Sequence, residues 1–152
     1  MIYLYRIFPK LLNEKRLKSL WEQIFWLKSH IEDCYGGNHL LENLITLCIA
    51  CLQFESSNSF KIYEYSINLL ESELKEQILN DGGHFERSTS YHLLMLDRLC
   101  ELGFILQGGL NIRPKWLEEN IRKMVDWVKN VRLHNGNYPQ FNDSASDSLN
   151  NL

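Results

Sequence analysis

The sequence predicts an all-α fold of about five antiparallel helices, and three observations predict it. Apolar residues recur at helical spacing along most of the chain, and no run of strict period-two alternation stands between turn signals. The three prolines, Pro9, Pro114 and Pro139, fall at element edges, where a missing N–H costs little. A strongly apolar helix also alternates with more amphipathic ones, the pattern of layered hairpins in α/α toroids or solenoids.

The first helix spans about residues 13–32, with Leu17, Leu20, Trp21, Ile24, Leu27 and Ile31 on one stripe, and Cys34-Tyr35-Gly36-Gly37 breaks it. The second, about 38–54, is apolar almost all round, which demands burial on most sides. Ser56-Ser57-Asn58-Ser59 offers caps for the third, about 59–79, with Ile62, Tyr65, Leu69 and Leu70 facing the core. Asn80-Asp81-Gly82-Gly83 stops it through a left-handed glycine cap. The fourth, about 88–106, starts behind Ser88 or Thr89 and ends at Gly108-Gly109. The fifth runs from Pro114 as its first residue to about Val131, with Trp116, Ile121, Met124, Val125 and Val128 inward. Residues 1–133 thus form one helical domain, and 134–152 a polar loop and frayed tail.

At 152 residues, one domain is expected. Sixteen basic against 19 acidic residues give a net charge of −3, which removes the bulk electrostatic case for nucleic acid or an anionic membrane as partner. No stretch approaches the roughly 18 apolar residues of a membrane span. The N-terminus lacks the order of an export signal, so the chain as written reads as cytoplasmic. Cys34, Cys48, Cys51 and Cys100 form no disulfide framework, and Cys48-x-x-Cys51 inside an apolar helix reads as buried, inert thiols rather than a metal site.

Three clusters carry chemistry. In Gly36-Gly37-Asn38-His39-Leu40-Leu41-Glu42-Asn43, a spacing of four aligns Asn38 with Glu42 and His39 with Asn43. This polar face reads equally as a cap at Asn38 with Glu42 or Asn43 tying a loop, or as a site. Asp81-Gly82-Gly83-His84-Phe85-Glu86-Arg87-Ser88 followed by Tyr91-His92 gathers basic, acidic and phenolic groups within one loop and one turn. It reads either as a loop held by ion pairs or as a catalytic cluster in which a cation beside a phenol favours its ionised form. Tyr138-Pro139-Gln140-Phe141-Asn142-Asp143-Ser144 is a polar turn with two aromatics.

Taken together, Gly37-Asn38-His39-Leu40-Leu41-Glu42-Asn43-Leu44, Glu73-Leu74-Lys75-Glu76-Gln77-Ile78-Leu79, the Asp81–Ser88 run with Tyr91-His92, and Phe141-Asn142-Asp143-Ser144 resemble the heparinase II/III-like polysaccharide lyases. Thr89-Ser90 stands where many relatives carry Pro-Met. The resemblance implies a partial α/α toroid, with further helices and a β-sandwich in longer relatives, which are often periplasmic or secreted. It implies β-elimination on uronic-acid-containing polysaccharides, with Asn38 and Tyr91 catalytic and a further His supplied from later in the family's chain. His39, His84, Glu86, Arg87 and His92 would contact the substrate.

The resemblance therefore reads the chain as a piece of such a lyase, an anionic polysaccharide as its partner, and no metal or organic cofactor. A non-catalytic helical scaffold, or one part of a split lyase needing a C-terminal partner, are the other readings. An arc of helices would also leave the second helix covered on one side only, which predicts self-association or capture of a complementary portion.

Overall fold

The computed structural model describes residues 13–32 and 36–144. Among them lie five helices: α1 (Glu14–Ser29), α2 (Gly37–Cys51), α3 (Ser57–Gln77), α4 (Thr89–Leu110) and α5 (Lys115–Val131). The described residues contain no strand, only an isolated bridge between Ile78 and His84. The all-α expectation holds. Cys34 and Tyr35 lie outside the described residues.

Three of the five helices begin where a neighbouring side chain satisfies their first N–H groups. The Asn13 side chain accepts from the Arg16 N–H at 3.0 Å to open α1. A capping box of Ser56 and Ser59 opens α3, so that helix starts two residues before the expected Ser59. Ser88 opens α4 by accepting from the Tyr91 N–H.

Several helix bounds differ from expectation, α1 and α2 stopping at Ser29 and Cys51, each about three residues early. Helix α3 stops at Gln77, because Ile78 turns extended to pair with His84, and the glycines at 82 and 83 serve a later turn. Helix α4 runs through Gly108 and Gly109 to Leu110. Left-handed Asn111 (φ +54) closes it, its N–H reaching the Leu106 carbonyl. Pro114 sits outside α5 as its extended N-cap rather than as its first residue.

Helix α2 is the centre of the molecule. Leu41, Leu44, Ile45, Leu47 and Cys48 are fully buried, each leucine contributing about 1.5–3 kcal/mol relative to exposure. One face joins Leu70, Leu74, Met95, Leu99 and Leu102 of α3 and α4. The opposite face, with Leu47, Ala50 and Cys51, receives Leu20 and Ile24 of α1 and Ile62 of α3. The expectation that α2 is covered on one side only is therefore corrected: it is enclosed by α1, α3 and α4. The exposed apolar side chains lie elsewhere, including Phe25 and Trp26 on α1, Phe60 on α3 and Phe104 on α4. Tyr65, expected inward, is also exposed, with the Lys28 ammonium 5.6 Å from its ring centre. Helix α5 packs Leu117 and Met124 onto the same core. None of the described helices is long and apolar enough to cross a membrane.

Candidate active site

The connection from α3 to α4 is a tight loop pressed against α5. The Phe85 N–H donates to the Gln77 carbonyl at 2.8 Å, and the Leu79 N–H to the Gly83 carbonyl at 2.9 Å. Asp81 accepts from the Gly83 N–H. Gly82 has φ +89, and a Cβ there would overlap the Lys123 carbonyl of α5. A Cβ at Gly83 would stand 2.7 Å from Trp127 Nε1. The paired glycines are thus explained by close approach of α5 as well as by backbone conformation.

Two histidines clamp this loop from inside. His84 is 1 % exposed. Its Nδ1 accepts from the Glu86 N–H at 3.4 Å, so Nε2 carries the hydrogen and donates to Gln77 Oε1 at 3.2 Å. Gln77 in turn donates to the Glu73 carboxylate. His92 is fully buried: Nδ1 accepts from the His84 N–H, Nε2 donates to the Met124 carbonyl at 3.1 Å, and the ring stands 4.3 Å from Trp127. Burial pushes each imidazole down to about 4 from an ordinary 6.5; for His92 the Met124 bond only partly opposes this. Both rings are neutral at physiological pH and supply no positive charge. The resemblance implies a substrate-contact role for them; the structure places them under the loop, joining it to α4 and α5.

Glu86 reaches across to α2. That helix has no side-chain cap at Gly36, and Glu86 Oε1 accepts from the Asn38 N–H at 2.7 Å. A carboxylate at the positive end of a helix satisfies an orphan donor and meets the helix dipole favourably. Gly37 (φ +74) makes room, since a Cβ there would come within 2.5 Å of the same oxygen. Asn38 is therefore not the cap of α2. Its side-chain amide makes no hydrogen bond with the described residues, and neither does the half-buried Tyr91 hydroxyl.

A second tie fixes the register of α2 against α4. Arg98 Nε donates to Glu42 Oε2 at 3.0 Å, its Nη2 reaches Thr46 Oγ1, and its Nη1 pairs with Glu101. Asn38, Glu42 and Thr46 follow at intervals of four, and Tyr91 and Arg98 at seven, so each set forms one helical strip. Glu86, just before α4, meets the first turn of α2, while Arg98, deeper in α4, meets later turns of α2. The two helices therefore run parallel with their N-terminal ends together. Asn38 and Tyr91 stand in the first turns of these two helices, on the strips that carry Glu42 and Arg98.

The Phe141–Ser144 turn docks onto the same end. Ser144 Oγ accepts from the Thr89 and Ser90 N–H groups at 2.7 and 3.2 Å, and Asn142 Nδ2 donates to the Glu86 carbonyl at 2.8 Å. The Thr89-Ser90 entry into α4 is thereby capped from 55 residues away. Arg87 is exposed at φ +56 and lines a cleft of about 490 Å³ with Asp81, Trp127, Phe141 and Asn142. His39 alone stands apart, exposed and 3.4 Å from Glu32. Sequence reasoning missed Trp127, the bond of Gln77 to His84 and the capping role of Ser144; Gln77 and Ser144 stand in the quoted runs, but neither role has a local signal.

Among the described residues no three His, Cys, Asp or Glu side chains gather as a metal site. Cys48 and Cys51 are buried, and burial pushes the Cys51 thiol up to about 12 and the Cys48 thiol further.

Residues 8–152 match the family described as the heparinase II/III N-terminus. The chain belongs to the heparinase II/III family. It is 31 % identical over 120 residues to a heparin-sulfate lyase of Bacteroides stercoris, covering 76 % of this chain and 18 % of that protein. It is 28 % identical over 131 residues to a heparin-sulfate lyase of Pedobacter heparinus, covering 84 % of this chain and 20 % of that protein. This heparinase II/III chain thus spans about a fifth of the length of the curated relatives it matches. No solved structure matches it.

Proposed function

We propose that the chain carries the Asn38–Tyr91 part of a lyase site that cleaves uronic-acid-containing polysaccharide by β-elimination. The single observation that carries this reading is the parallel register of α2 and α4, fixed by Glu86 at one end and Arg98–Glu42 further in. Asn38, an amide donor, and Tyr91, a phenol, stand in the first turns of these helices, on the strips that carry Glu42 and Arg98. The relatives, heparin-sulfate lyases by name, support an anionic polysaccharide as the substrate class.

The chemistry asks for two groups. The C5 proton of a uronate is weakly acidic while the adjacent carboxylate keeps its full charge. A donor at that carboxylate stabilises the enolate-like transition state, and the Asn38 side-chain amide is of this kind. Tyr91 takes the C5 proton on its phenolic oxygen. The C5–H electron pair becomes the C4–C5 double bond, the C4–O bond breaks, and the phenol returns its proton to the departing oxygen. Glu86 positions Asn38 through the backbone, and the two buried histidines hold the loop that leads into Tyr91.

The test pairs binding with product release on heparin, chondroitin sulfate and alginate oligosaccharides. The chain alone is expected to bind but to release little product. With the rest of the lyase site supplied, Tyr91→Phe is expected to abolish the ultraviolet signal of unsaturated uronate, and Asn38→Ala to lower it by about 100-fold, as for loss of an oxyanion-type donor. Unsaturated product formed equally well by Tyr91→Phe, or no affinity of the parent chain for any of these sugars, would overturn the reading.

A further inference from the structure

Beside the Asn38–Tyr91 end lies a second polar feature that this elimination chemistry does not use. The cleft of about 490 Å³ is walled by Arg87, Trp127, Phe141 and Asn142, with Asp81 and Gly83 at its margin. Three non-glycine residues among those described have a positive φ, and one of them, Asn111, simply ends α4. The other two, Arg87 and Asn142, both line this cleft. Left-handed backbone at such residues is costly and collects at ligand sites.

The lining is built rather than incidental. Trp127 is held by the His92 ring on it, and the missing side chain at Gly83 leaves its Nε1 edge uncovered by a Cβ. Phe141 is 46 % exposed, in a turn tied by Asn142 to the Glu86 carbonyl and by Ser144 to α4. Arg87 is exposed and makes no side-chain hydrogen bond or ion pair with the described residues. Its backbone N–H is fixed on the His84 carbonyl at 2.9 Å. Asp81, the acidic group at the margin, already accepts from the Gly83 N–H and keeps an oxygen for a hydroxyl donor.

We propose that this cleft is a subsite for an acidic sugar unit, its ring against Trp127 and Phe141 and its sulfate or carboxylate paired with Arg87. Aromatic walls with a few placed polar groups suit a ring of this size, and a guanidinium fork matches a planar carboxylate or a sulfate. The inference rests on the lyase reading, since it makes the cleft a neighbouring station for the same chain of sugars.

The full chain is titrated with a heparin oligosaccharide, which bears sulfate and carboxylate, and with a hyaluronan oligosaccharide, which bears carboxylate alone. The Trp127 indole N–H resonance and the affinity are followed together. The indole is expected to shift on saturation, with both sugars if carboxylate is read and with heparin alone if sulfate is read. Arg87→Gly is expected to weaken binding by about tenfold, the worth of a charge-assisted pair. It should melt no lower than the parent, because glycine accepts the positive φ. Phe141→Leu, a turn residue outside the core, should weaken binding without changing the fold. Unchanged affinity in both variants, or saturation that leaves the Trp127 indole unmoved, overturns the subsite. If Tyr91→Phe still abolishes elimination in that case, the lyase reading stands without it.

Discussion

Glu86 does at the residue scale what no neighbour in sequence does for α2: its carboxylate takes the Asn38 N–H at 2.7 Å. Gly37→Ala would force a Cβ against that oxygen at φ +74, and is expected to destabilise the chain by about 1–3 kcal/mol. A lowered urea midpoint would check this. His84 and His92 carry a pH signature. Each is depressed from 6.5 to about 4 in the fold, so the unfolded chain binds more protons between those values. Their contribution is whole above about pH 6.5, declines as pH falls, and is lost by about pH 4. It amounts to on the order of 3 kcal/mol per ring. Melting temperatures across that window should fall, and His84→Gln should flatten the decline if it folds. An undiminished melting temperature at pH 4.5 would contradict the neutral, buried assignment.

At the scale of elements, what holds the site together is the capping of α2 and α4 by distant side chains. Ser144→Ala removes the acceptor for the Thr89 and Ser90 N–H groups and is expected to cost about 1 kcal/mol. Hydrogen exchange should show the first turn of α4 opening more readily, with the centre of α2 unchanged. The periodic cores of these helices were legible in the sequence, because Leu20, Ile24, Leu44, Leu70 and Met124 obey the helical spacing and are buried. The ends were less so. Gly108 and Gly109 stay helical, and the left-handed cap falls instead at Asn111, one residue after the helix. Ile78 leaves the helix because a long-range bridge to His84 is available. Such choices are made by tertiary contacts, which local residue preference does not encode.

Over the whole molecule, the burial of α2 by α1, α3 and α4 makes the central helix both the core and the carrier of Asn38. The motif residues Asn38, Glu86, Arg87 and Tyr91 were legible as a set because each stands in a recognisable run. Their division of labour was not: Glu86 acts through the backbone of Asn38, and the histidines at 84 and 92 work as internal clamps. Arg98→Met tests the coupling of the two helices. It leaves Glu42 and Glu101 without their shared cation, and is expected to lower stability and to weaken elimination although Arg98 touches no proposed reacting group. Unaltered elimination in a destabilised variant would show that register is not what aligns the site. The central claim, that Asn38 and Tyr91 serve one sugar, is tested most directly by nuclear Overhauser contacts in the full chain saturated with a uronate oligosaccharide. The account predicts contacts from the Asn38 side-chain amide and the Tyr91 ring to the same uronate residue. Contacts to separate residues of the oligosaccharide, or to a face away from the α2 and α4 N-termini, would contradict it.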